Sequence, residues 1–116
     1  MSDPRHTDTV RSSSIGVPGR ALNSTRTHHF ILDSSSGPSE ALTNSEAFLA
    51  GVASCGVTLI EKYAKDTGVA TSGMEVEISG ERRAKPASFA RIEMRFEIRG
   101  VSQAEAERLV GVWQER

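Results

Sequence analysis

Cysteine is almost absent from this chain of 116 residues: Cys55 is the only one, and aromatic residues make up just 5%. One thiol closes no disulfide within the chain and supplies too few ligands for a zinc site. If it carries a role, the role is reactivity. A dominant charge is missing too, since 14 Lys and Arg stand against 15 Asp and Glu for a formal net charge of −1. Without a basic field to hold a phosphate backbone, nucleic acid is excluded as an expected partner. The longest nearly uncharged stretch, Ala47 to Ile60, falls short of the roughly 20 residues that cross a bilayer. The polar N-terminus, with Asp3, Arg5, His6 and Asp8, has no apolar signal region. These absences predict a cytoplasmic protein with no membrane partner. Hydrophobic residues at 37% are few for a chain that buries only about two-thirds of its unfolded surface, so a core shared with a second copy is expected.

What is present has clear periodicity. Residues 1–9 are polar and unpatterned, as in a flexible terminus, and residues 10–116 are expected to form a single domain. Val10 to Asp33 reads as two strands broken at Val17-Pro18-Gly19, the second running from about Leu22 to Leu32. A polar loop, Ser34 to Glu40, follows. Thr43-Asn44-Ser45-Glu46 has the form of a capping box and opens a long helix to about Asp66, closed at Gly68. Ala47, Gly51 and Ser54 form a stripe of small residues along it, and Phe48, Val52, Cys55, Leu59 and Tyr63 a bulkier one. With charges only from Glu61 onward, its first four turns read as a buried central helix.

Met74, Val76 and Ile78 alternate with polar residues, as do Ala90, Ile92, Met94, Phe96 and Ile98, which predicts two antiparallel strands joined through a loop at Lys85-Pro86. Ser102 to Glu105 is a second capping box, ahead of a helix with Ala106, Leu109, Val110 and Trp113 on one face. Trp113 reads as a core or interface residue. The order β-β-α-β-β-α defines an α+β fold with helices against antiparallel sheet. The last helix runs to Arg116 without a cap, so the natural protein is expected to continue. His28 and His29, adjacent on a strand, point to opposite faces, and no metal or cofactor is expected.

The segment Thr43-Asn44-Ser45-Glu46-Ala47-Phe48-Leu49-Ala50-Gly51-Val52-Ala53-Ser54-Cys55 resembles the N-P-x-E-L-L-L-A-A-L-A-S-C segment of the OsmC/Ohr family, the osmotically inducible and organic hydroperoxide resistance proteins. Asp33 before a Gly-Pro loop, the strands around Glu75-Val76-Glu77-Ile78 and the final amphipathic helix follow in that family's order. The resemblance extends from about Ile15 to Arg116. It implies an OsmC-like fold assembled as a strand-exchanged homodimer.

For function, the resemblance implies a thiol peroxidase in which Cys55 reduces organic hydroperoxides and a dithiol reductant restores it. It also implies a cation for Cys55, which Arg20 best matches and Arg26 matches next, held by a glutamate near the start of the cysteine helix. The peroxidase branch places that glutamate ten residues before the cysteine, where this chain has Ser45. Glu46 stands nine before it, as in the broader OsmC-like branch, and the capping box accounts for Glu46 without chemistry. A resolving cysteine is expected shortly after Arg116. A small apolar ligand bound beside Cys55, and a structural dimer without catalysis, are the alternative readings.

Overall fold

The computed structural model describes residues 5–83 and 88–114. Its elements are β1 (Arg11–Ser14), β2 (Arg20–Thr25), β3 (His28–Asp33), α1 (Asn44–Asp66), β4 (Gly73–Arg83), β5 (Ser88–Arg99) and α2 (Gln103–Gln114). The α+β class with antiparallel sheets stands, with three strands ahead of α1 where the sequence pattern suggested two. The extra strand comes from a tight turn at Arg26-Thr27, which sets Thr25 opposite His28. Arg26 takes a left-handed φ of 53° there, a conformation that Gly, Asn or Asp would have advertised and that Arg conceals. The Lys85-Pro86 loop and the chain end at Arg116 lie outside the described residues.

The chain forms two compact units, one up to Ala47 and one from Phe48 onward. The first is the sheet β1-β2-β3, paired antiparallel throughout. Among its described residues the buried ones are polar: Asp33, fully enclosed, and Asn23. Asn23 accepts a hydrogen bond from Ser12 Oγ at 2.6 Å and donates weakly to the Ala21 and Phe30 carbonyls. After β3 the chain folds back so that Ser34 N–H donates to Gly19 O and Asp33 N–H to Leu42 O. Gly19 and Gly37 meet backbone to backbone in this loop: a side chain on Gly37 would collide with Gly19 O. Residues 5–9 form no element, although Thr25 Oγ1 donates to Thr9 O.

The second unit has an apolar core. Ile60, Ala64 and Leu109 are buried, with Tyr63, Val69, Met74, Phe96, Ile98, Val110 and Trp113 packed around them. Burying one such Leu or Ile side chain stabilises by about 1.5 to 3 kcal/mol. Phe96 and Trp113 pack with ring centres 5.6 Å apart, and Gly56 makes room for both, since a Cβ there would stand 3.4 Å from each ring. β4 and β5 pair antiparallel with an irregularity at Glu81/Arg82 that sets Arg82 opposite Phe89. Strict alternation would place Ala90 on the inner face; the bulge brings Phe89 over Gly80 and stacks it on Phe48 at 5.8 Å.

Both helices begin as the sequence indicates. Thr43 N–H donates to Glu46 Oε1 at 2.9 Å, and Glu46 N–H to Thr43 Oγ1 at 3.1 Å. At α2, Glu105 N–H donates to Ser102 Oγ, while the Glu105 carboxylate turns to Arg108 instead of back to the cap. At the far end of α1, Gly68 takes a φ of 76°. Val69 N–H then reaches Ala64 O and Gly68 N–H reaches Lys65 O, the paired closure of a Schellman motif.

Burial along α1 departs from the expected central helix. Only Gly56, Ile60 and Ala64 are buried within one chain; Phe48, Gly51, Ser54, Cys55 and Leu59 are exposed. α1 has the length and hydropathy of a membrane span by composition alone, which core helices of soluble proteins share.

Candidate functional site

Cys55 lies on the exposed face of α1, where its helical neighbours Gly51, Ser54 and Thr58 are small and also exposed. Thr58 Oγ1 donates back to the carbonyls of Ser54 at 3.1 Å and Cys55 at 3.3 Å, which turns the hydroxyl onto the helix backbone. The thiol therefore sits on an open surface of low bulk, accessible to a reactant. Its nucleophilic form is the thiolate, which needs a stabilising positive charge.

Arg20 opens β2 directly opposite Asp33, the last residue of β3. Its Nε donates to Asp33 Oδ1 at 2.7 Å and its Nη2 to Asp33 Oδ2 at 3.0 Å, a forked pair of charge-assisted bonds. Nη2 also reaches Glu40 Oε1 at 3.1 Å. Asp33 Oδ2 in addition accepts the N–H groups of Glu40 and Ala41, each at 2.9 Å, which a left-handed Ser39 (φ 63°) turns toward it. Asp33 is thus wholly enclosed yet fully hydrogen-bonded. The Arg20 bond holds its carboxyl well below the usual carboxylate range; burial opposes this, and the Ala41 and Glu40 N–H groups add to it. Arg20 is correspondingly held above the ordinary arginine value, by its bond to Asp33 first.

Glu46 lies in the first turn of α1 and is committed to the cap. Cys55 is nine residues further on, about two and a half turns along the same helix, beyond the three- and four-residue spacings at which helical side chains meet. Arg26 sits exposed in the β2–β3 turn. Of the expected residues, the structure therefore shows Cys55 exposed, Glu46 as a capping residue and Arg20 as the centre of a carboxylate cluster. Of the two carboxylates that hold Arg20, Asp33 is marked in the sequence only as a landmark ahead of the Gly-Pro loop, and nothing there marks Glu40. His29 Nδ1 lies 2.8 Å from Ser24 Oγ, and among the described residues no three His, Cys, Asp or Glu side chains converge as a metal site would require.

A three-stranded sheet leading into a cysteine-bearing helix, followed by a hairpin and a second helix, defines a recognisable class of α+β protein. The family model for OsmC-like proteins matches residues 37–116, and the chain belongs to that family. Among solved structures it is similar to an OsmC-like protein from Mycoplasma pneumoniae, at 14% identity and a TM-score of 0.85, covering 96% of this chain and 82% of that one. It is also similar to an organic hydroperoxide resistance protein OsmC from Legionella pneumophila (20% identity, TM-score 0.76, 97% and 85% covered). A third is the organic hydroperoxide resistance protein OhrB of Bacillus subtilis (16% identity, TM-score 0.66, 95% and 84% covered). At these identities the likeness establishes the fold. No curated protein matches the chain.

Proposed function

We propose that this protein reduces organic hydroperoxides through Cys55. The observation that carries the reading is the exposure of the chain's one thiol on α1, within the segment that the OsmC-like model matches. In the proposed reaction the Cys55 thiolate attacks one peroxide oxygen and the O–O bond breaks. The alkoxide leaves and takes up a proton to become an alcohol, and Cys55 becomes a sulfenic acid. A dithiol supplies the two electrons and two protons that restore the thiol and release water. Arg20 is the proposed cation for the thiolate, and Glu46 supports the reaction by fixing the start of the cysteine helix.

The working form is proposed to be a homodimer in the cytoplasm, with a second copy covering the exposed apolar residues of α1. Light scattering at micromolar concentration tests this, and a monodisperse monomer overturns it. A pH titration of Cys55 reactivity tests the chemistry: alkylation should proceed well below the ordinary thiol pKa of about 8.5. Loss of peroxide consumption in Cys55→Ser is the matching kinetic result. Excess peroxide on this chain should carry Cys55 to sulfinic acid, seen by intact mass spectrometry as a gain of two oxygens.

The occupation of Arg20 by two carboxylates favours a second reading, in which a small apolar ligand binds beside an unactivated Cys55. Ordinary, alkaline thiol reactivity would support that reading and sink the peroxidase.

A further inference from the structure

The two carboxylates on Arg20 are not equivalent. Asp33 is 0% exposed; it accepts two bonds from Arg20 and two from backbone N–H groups. The Glu40 side chain is 73% exposed and shares Nη2 with Asp33 through one bond at 3.1 Å. The backbone of Glu40 is separately anchored, because its N–H donates to Asp33. The Glu40 side chain can therefore swing into water while the loop stays closed and Arg20 stays aimed by Asp33.

We infer that Glu40 is a displaceable mask on Arg20, which lowers the positive charge that Arg20 presents until the carboxylate moves aside. With both carboxylates bound, the cluster of one guanidinium and two carboxylates carries a net negative charge; with Glu40 withdrawn, it is neutral and Arg20 Nη2 loses one of its two acceptors. An exposed ion pair of this kind is held by little free energy, as a removable mask requires. Glu40 is accordingly a positioning residue, acting through Arg20. The inference rests on the proposed role of Arg20 toward Cys55 and concerns how much charge Arg20 has available for it.

The test is the pH dependence of Cys55 alkylation by iodoacetamide in the full chain. Glu40→Gln should lower the midpoint by about 0.5 to 1 unit, less than the 1 to 3 units of a direct ion pair. Glu40→Asp, which keeps the charge but shortens the reach, should lower it by a smaller amount. Adding Glu40→Gln to Arg20→Gln should produce no further movement.

An unchanged midpoint in Glu40→Gln overturns the inference. So does a lowered midpoint in Glu40→Gln with Glu40→Asp identical to the parent, since that is a general effect of charge and not of contact. If Arg20→Gln fails to fold, the two Glu40 variants decide the matter, because that side chain is mostly in water. Absence of peroxide consumption alongside the expected midpoints would remove the peroxidase reading and leave the mask standing.

Discussion

The two units of this protein are held together by different physics. Up to Ala47 the buried groups are polar, Asn23 and Asp33, and order comes from hydrogen bonds that converge on one carboxylate. From Phe48 onward the buried groups Gly56, Ile60, Ala64 and Leu109 are apolar or small, and order comes from area removed from water. An apolar core loses stability in proportion to the volume deleted. A polar cluster is all-or-none, because a buried charge that loses its partner is costlier than the pair was favourable.

Substitutions at four positions sharpen the contrast, in decreasing order of effect. Leu109→Ala should destabilise the protein by about 2 to 5 kcal/mol, measured by denaturant unfolding, with loss of amide protection centred on α1 and α2. Asp33→Asn should lower the melting temperature by several degrees and speed hydrogen exchange at Glu40 and Ala41. It should also remove an acid sensitivity. The folded carboxyl of Asp33 lies below the value of about 3.9 expected in the unfolded chain, so its contribution is complete above that value and is lost as the pH falls further. The parent should therefore weaken on acidification in a way that the Asn variant does not.

Gly51→Ala is the sharpest probe of what lies over α1. Among the described residues nothing stands within 4 Å of a Cβ at that position, so an uncovered helix should gain about 1 kcal/mol from the better helix former. A face closely covered by a second copy should lose stability instead, and Gly51→Leu should break the assembly. Smallest of all, Glu77→Gln should leave the melting temperature unchanged, because its partner Arg95 is 3.9 Å away and both side chains are largely in water.

Periodicity and caps were legible in the sequence wherever local chemistry decides the structure. The start of α1 at Thr43 and Glu46, its end at Gly68 and the alternation of Met74, Val76 and Ile78 all reappear. What escaped was non-local or concealed. Arg26 hides a turn because nothing in an arginine announces a left-handed residue, and without that turn the pairing of Arg20 with Asp33 cannot be read. A two-residue loop at 26–27 that sets Thr25 opposite His28 also sets Arg20 opposite Asp33, so the ion pair was implicit in the hairpin register. The bulge that brings Phe89 inward in place of Ala90 had no local signal either. Cys55 was found through resemblance, while its exposure within one chain is a property of packing that apolar content alone does not reveal.

The Gly19–Gly37 approach has a consequence for how far this sequence can vary. Gly19 carries a φ of 78°, so its intolerance to replacement would be expected from its backbone alone. Gly37 has no such conformation, and its requirement comes entirely from the carbonyl of Gly19 beside it. In a saturation library, position 37 should thus tolerate no residue larger than glycine, although it carries no chemistry of its own. The heaviest mutational constraint on the loop closed over Arg20 would then rest on an atom that is not there.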